Sequence, residues 1–401
     1  MSEKTPTPQE IRKKKFPLAS SLLLVWVFFM TFVARTVLSP LLLEVEEELG
    51  ISHAQGGALF LFISVGVITT MLLSGLILQK IQHRTAIAIS GLLAAGGLLV
   101  LSLSETLLPF RLGLLVIGAG AGLYLPSGMT ALTDVVSHRQ WGRAIALHEL
   151  GPIFGLASAP FFAELALRYG NWRILMAILA GVALASVVAF WQFAAGGRFR
   201  GTPPAWGAVG RVVRKPQFWV VAFLFIMAVG LEMGVYSMLP TYLVDVHGLP
   251  RPTVNTVVST SRLTSLVMVF LSGWATDHLG FRRVLGTLVV ASGIATATLG
   301  LAEGGLLMAA VYVQPMLISG FFPPGLTALS GISGARERNL TISLVIPLAS
   351  LLGSGVIPAI LGRLAEAGSF SLGFVWVGAI MIGAVTGVPL VKRPVMEEQT
   401  A

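Results

Sequence analysis

SGWATDHLGFRR, residues 272–283, repeats a pattern met earlier as SGLILQKIQHRT, residues 74–85. Each copy is a short polar turn ending in cations, set between two long uncharged stretches. The echo continues outward. YLPSGMTAL at 124–132 aligns with FFPPGLTAL at 321–329, and Pro152 and Pro347 open comparable stretches. The offset holds at roughly 195 to 198 residues, so the chain reads as two related halves.

The flanking stretches set the fold class. The 401 residues are 55% hydrophobic and 11% charged, and mean hydropathy is +0.84; soluble domains do not combine these values. Apolar runs long enough to cross a bilayer recur throughout and lack period-two alternation, which predicts helices and excludes a transmembrane barrel. Twelve spans are expected, at 17–43, 54–79, 85–105, 108–134, 142–166, 171–195, 217–244, 251–277, 283–302, 307–332, 339–364 and 370–391. The expected protein is an all-α membrane protein of two pseudo-symmetric six-helix bundles, 17–195 and 217–391. A basic linker at 196–216 joins them, and tails at 1–16 and 392–401 flank them. The first run is too long for a signal-peptide core and lacks a small-residue cleavage pattern, so an uncleaved first span is expected.

The net charge of +9 is distributed as a membrane protein requires and does not point to nucleic acid. With the N-terminus in the cytoplasm, 20 of the 27 Lys and Arg residues fall in cytoplasmic segments, IRKKK and the linker among them. The positive-inside rule then predicts both termini inside, in a plasma membrane or, for a bacterium, its inner membrane. Outer joints such as EVEEELG at 44–50 are acidic instead. With no cysteine there is no disulfide or thiolate metal site, and no cofactor is expected.

Two six-span halves, a basic central loop and a Gly-x-x-x-Asp-x-x-Gly-x-Arg-Arg hairpin together resemble the major facilitator superfamily. The second-half hairpin is intact as Gly273, Asp277, Gly280, Arg282 and Arg283; the first-half copy has Gln79 for Asp and Gln82 for Gly. The resemblance implies a transporter whose hairpin latches the halves together on the cytoplasmic side while the other side is open.

Charges inside spans carry the functional reading, because each costs roughly 2.5 kcal/mol or more unless it meets water or a partner. Arg35 lies past the middle of span one, Glu232 centrally in span seven and Arg262 near the middle of span eight. His148 and Glu149 lie about two turns into span five. In the implied arrangement all five lie on helices that reach a central cavity. ARTVLSPLLLEVEEELGISHAQGG around Arg35 resembles the first-span region of anion:cation symporters, where the Arg holds a substrate carboxylate; Ala34 and Ala121 replace that family's two coupling acids. Arg262 resembles the span-eight Arg of monocarboxylate porters, with Val258 where they carry an Asp. A looser likeness is to cyanate-type transporters. All three carry anions.

Two permanent cations against one central carboxylate leave surplus positive charge, which suits a small organic anion held by bidentate hydrogen bonds. The competing reading pairs Arg35 with Glu232 structurally and gives Arg262 a backbone carbonyl. Tyr124, Tyr236, Asn255, Gln314 and Phe321 are expected to shape the cavity or to glue helices together. If transport is proton-coupled, Glu232, His148 and Glu149 are the candidate carriers, His148 being equally a structural imidazole.

HELGP at 148–152 fails as a zinc motif, since Pro152 stands where a second His is needed. GAGAG at 118–122 lies within an apolar span and predicts close helix packing. Asn339-Leu340-Thr341 is a sequon on the expected cytoplasmic side. The expectation is a monomeric secondary transporter of a small organic anion, a carboxylate above all, working as proton symporter or exchanger by alternating access. LGPIFG at 150–155 faintly resembles drug:proton antiporters, so export of lipophilic compounds by proton antiport is the alternative. A non-transporting receptor and an intramembrane enzyme are weaker rivals; no nucleophile lies beside a base.

Overall fold

A computed structural model of the chain describes residues 17–137, 140–201, 206–332 and 338–391. Both tails, the cations of IRKKK among them, and the Asn339 side chain lie outside that description. Among the described residues twelve helices are long and apolar enough to cross a membrane. They run Leu18–Leu49, His53–Lys80, His83–Leu103, Leu107–Val135, Trp141–Tyr169, Trp172–Phe193, Pro216–Asp245, Arg251–Leu279, Phe281–Leu301, Gly304–Ser330, Leu340–Glu366 and Phe370–Leu390. Only span one differs much from expectation. A 3₁₀ turn at Ser39–Leu41, where Pro40 lacks an N–H, passes directly into a helix over Leu42–Leu49. The acidic stretch stays helical because its carboxylates find partners: Glu44 on Arg251, Glu46 on His53 and Glu48 on Arg173.

The sequence repeat has a packing cause. Tyr124 stacks on Phe28 at 4.9 Å, and Phe321 meets Phe225 edge-on at 5.3 Å. Each ring also lies against the glycine one turn on, Gly128 or Gly325, where a Cβ would strike it. Spans one and four are thus joined as spans seven and ten are. The hairpin arginines repeat a role as well: Arg84 donates to Trp191 O and Ala194 O at the end of span six, and Arg282 Nε donates to Val391 O, at 2.7 Å, at the end of span twelve. A cation there meets carbonyls that no further helical turn can satisfy. GAGAG packs span four against its neighbours, because a Cβ at Gly118 or Gly122 would meet the backbone of span two, and at Gly120 that of span three.

The two halves meet at the end remote from the linker, called here the far end. Spans two and eleven touch backbone to backbone at Gly57, Pro358 and Gly362. Arg251 pairs with Glu44, Asn255 Nδ2 donates to Glu164 Oε2 at 3.0 Å, and Ser259 donates to Ala157 O. At the linker end the cores separate: Val267, Phe270 and Trp274 of span eight are exposed. Asp277 is exposed too and has no partner among the described residues. The first-half hairpin is occupied differently. Leu78 O accepts from Gly201 N, while Phe199 O and Gly197 O accept from the amides of His83 and Arg84. It anchors the start of the linker, a task met by backbone groups and needing neither Asp nor Gly at positions 79 and 82.

Candidate solute site between the halves

Four spans of the second half depart from the regular α-helix at one level, span eleven through a π segment over Ser350–Val356 that packs Gly353 on Gly230 and Gly234. Span seven widens into a π turn over Gly230–Gly234, span eight is interrupted at Thr264, just after Arg262, and span ten at Gly320 and Phe321. Broken helices at mid-membrane depth free backbone groups, which persist only where side chains or water meet them. Gln314 does so: its Nε2 donates to Leu231 O at 2.9 Å. The reading of Gln314 as a cavity-shaping residue shifts accordingly to that of a support for the π turn.

Glu232 projects from this turn. Its carboxylate accepts long hydrogen bonds from Ser319 Oγ at 3.4 and 3.5 Å, and its Oε1 lies 3.5 Å from Arg262 Nη1. The same nitrogen reaches Glu232 O at 3.4 Å, and the guanidinium lies 4.6 Å above the Tyr236 ring. Arg262 is only 1% exposed, yet its Nε and Nη2 are enclosed without any acceptor. A close charge-assisted pair would stand at about 2.7–2.9 Å. This pair is loose, and much of its donor capacity is unspent.

Arg35 is more extreme. It makes no hydrogen bond and no ion pair among the described residues; its guanidinium lies 4.0 Å from the Phe32 ring centre and its enclosed Nε has no acceptor. Arg35 is partly exposed and Glu149 is exposed. The expected alternative of an Arg35–Glu232 bridge is not formed. One turn beyond Arg35, Ser39 Oγ donates to Tyr236 O at 2.7 Å, and Tyr236 OH donates to Leu156 O at 3.0 Å. Tyr236 therefore ties the halves together beneath Arg262, with its hydroxyl already committed.

His148 is fully buried between Phe28, at a 4.2 Å ring separation, and Tyr124. Tyr124 OH donates to Leu24 O at 2.7 Å and lies 3.1 Å from His148 Nε2. With its proton spent on that carbonyl, the hydroxyl accepts from Nε2–H, which leaves Nδ1 as the bare nitrogen. Nδ1 has no hydrogen bond and stands 3.7 Å from Glu149 Oε1.

Of the other expected site residues, Tyr124 and Phe321 are enclosed in helix packing, with no ring face left for a solute, and Asn255 is a tie between halves. Gly273, Asp277, Gly280, Arg282 and Arg283 lie at the linker end, away from the arginines. The Phe32 ring and Ser319 escaped the sequence reading. Phe32 was legible as an aromatic one turn before Arg35; nothing marks Ser319 among many span serines. No group of three or more metal-ligating side chains occurs among the described residues.

Comparison with known proteins agrees on the architecture. The family model of the Major Facilitator Superfamily matches residues 24–260. Inner membrane transport protein YnfM of Escherichia coli strain K12 is 27% identical over 170 residues, which are 40% of this chain and only 39% of that protein. Two solved structures superpose over nearly the whole chain. A bacterial homologue of the human lysosomal transporter Spinster, inward-facing and occupied, has a TM-score of 0.78 at 14% identity, covering 94% of this chain and 97% of that one. A D-xylose-proton symporter has a TM-score of 0.78 at 13% identity, covering 95% and 99%. At such identities these two likenesses show the fold alone.

Proposed function

The chain belongs to the Major Facilitator Superfamily and is a multi-pass secondary transporter, not an enzyme; from that premise we propose that it carries a small organic anion, with Arg35 and Arg262 as its receptors. The observation that carries the reading is the state of Arg35: a guanidinium near the middle of a span, partly exposed and without an acceptor among the described residues. A planar cation kept unpaired at that depth is costly unless a mobile anion completes it. Arg262, loosely held by Glu232, supplies a second fork. A carboxylate entering the site displaces Glu232 or shares the cation with it.

Transport proceeds by rocking of the halves. The far-end contacts and the parted linker end describe one limit of that motion. The charge bias of the sequence puts the linker end in the cytoplasm, and the E. coli relative is named as an inner membrane protein, so we assign this limit as inward-facing in an inner membrane. Release of Asp277 is consistent with an opened latch. Proton coupling is assigned to Glu232 and to the bare Nδ1 of His148 beside Glu149. Protonation of Glu232 frees Arg262 for the substrate, which gives symport.

Counterflow in proteoliposomes tests the reading. Liposomes loaded with acetate, lactate or benzoate are expected to accumulate the matching labelled carboxylate. Arg35→Gln and Arg35→Lys are both expected to abolish accumulation, since a point charge does not copy the fork. Transport of lipophilic compounds that survives Arg35→Gln would replace this reading with the antiport of such compounds.

A further inference from the structure

His53 is the first residue of span two, held there by a capping box in which Ser52 Oγ accepts from Gln55 N–H and Gln55 Oε1 accepts from Ser52 N–H. Its ring lies between carboxylates of opposite halves. Nδ1 is 2.7 Å from Glu46 Oε2, in its own half, and Nε2 is 3.3 Å from Asp245 Oδ2, at the end of span seven. Glu46 is 6% exposed, and its second oxygen has no partner. Beside them Glu366 of span eleven accepts from Ser52 Oγ at 2.9 Å and from Ala54 N–H at 3.3 Å. Arg251, from the start of span eight, pairs with Glu44 and lines the same cavity as Glu46, Glu47, His53 and Glu366. That cavity, about 500 Å³, lies against the half-exposed His53 at the far end, where the halves meet.

We infer that His53 is a proton-binding clasp of the far gate, closed when the Glu46–His53–Asp245 set has taken up one proton and released when it is lost. A neutral imidazole carries one N–H and one bare nitrogen. Both ring nitrogens here face a carboxylate oxygen, so with two ionised carboxylates one contact would set lone pair against lone pair. The arrangement is complete only as imidazolium between two carboxylates, or with one carboxyl protonated against a neutral ring. Either way the closed set holds one proton more than the parted groups do. Asp245 leaves with the second half when the far end opens, and the extra proton loses its second carboxylate.

The linkage has one sign. Closure binds a proton, so acid favours the closed far end, and the open-to-closed ratio rises with pH by about tenfold per unit while the set titrates. Arg251 and the carboxylates of Glu44, Glu47 and Glu366 set the midpoint, while the one-proton stoichiometry follows from the three-group clasp. A proton arriving from the far side thus shuts that side behind it. The inference needs only the rocking of the halves and is indifferent to the solute carried.

The chain has no cysteine, so a spin-label pair can be placed at will. Thr106 and Gly305 lie at the far end in opposite halves, Thr106 in the loop before span four and Gly305 in the first turn of span ten; Thr106 caps nothing with its side chain, and a Cβ at Gly305 meets open space. Distances between labels on Thr106→Cys and Gly305→Cys in the full chain, in lipid nanodiscs without added solute, are to be measured between about pH 5.5 and about pH 8.5. The expected result is a shift from a short to a long population as pH rises, lost in His53→Gln and, independently, in Asp245→Asn. The inference is overturned by distances that do not change with pH, by opening on acidification, or by an unchanged pH response in both variants. Because no carboxylate enters this experiment, its failure and failure of the anion reading are separate results.

Discussion

Among the described residues Arg35 and Arg262 are the only Lys or Arg side chains deep in the spans, and the two halves treat them in opposite ways. In the first half span one carries Arg35 in its last regular turn, just before the chain tightens into the 3₁₀ turn at Ser39–Leu41, lays it against Phe32 and offers it no acceptor among the described residues. In the second half three interrupted helices converge on Arg262, which is buried over Tyr236 and held at arm's length by Glu232. On the proposed anion reading, a guanidinium with no partner among the described residues is a receptor waiting for an anion. One with a weak partner is a receptor whose occupancy can be switched by protonating that partner. Under the proposed function the contrast gives capture to Arg35 and control to Arg262.

The largest expected effect breaks the contrast at its open member. Arg35→Lys leaves charge but not the fork, and is expected to lower carboxylate counterflow at least about a hundredfold, the equivalent of losing roughly 3 kcal/mol of charge-assisted hydrogen bonding. Arg35→Gln is expected to behave alike, with the protein still monodisperse. Next, Glu232→Gln sharpens the contrast by giving Arg262 the freedom Arg35 already has. Equilibrium binding of lactate is expected to tighten about tenfold and to lose its pH dependence, while coupled uptake falls. Unchanged affinity would show that Glu232 does not compete for Arg262.

A smaller effect is expected from the frame around Arg262. Gln314→Leu removes the donor to Leu231 O, leaves a buried carbonyl unmet and is expected to cost about 1–3 kcal/mol, visible as a lowered melting temperature. The equivalent change in the first half has nothing to remove, because Ile117 stands there. Gly57→Val tests the far-end contact: its side chain would collide with Pro358 O and Gly362, and the labelled far-end distance is expected to stay long at every pH.

The architecture was the easier part to read. Twelve spans, two halves and the aromatic-glycine repeat follow from hydropathy and self-similarity, because lipid permits few ways to satisfy a backbone. The midspan charges were visible for the same reason. What the sequence hid was partnership. Gln314 and Asn255 carry the same groups whether they face a solute or a neighbouring helix, and only packing decides; both face helices. Tyr124, at a plausible depth on a lining helix, read equally as cavity wall or helix glue, and its hydroxyl is spent on Leu24 O. His53 and Asp245 lie far apart in the chain, so nothing in either neighbourhood announced that they meet.

Direct binding to the purified chain tests the central claim most closely. Thermal unfolding in the presence of acetate, lactate and benzoate is to be compared with unfolding in matched salt, for the wild-type chain and for Arg35→Gln and Arg262→Gln. The account expects at least one carboxylate to raise the melting temperature of the wild-type protein in a saturable way, with that rise absent in both variants. Equal stabilisation of all three proteins, or stabilisation by uncharged analogues in place of the carboxylates, would contradict it.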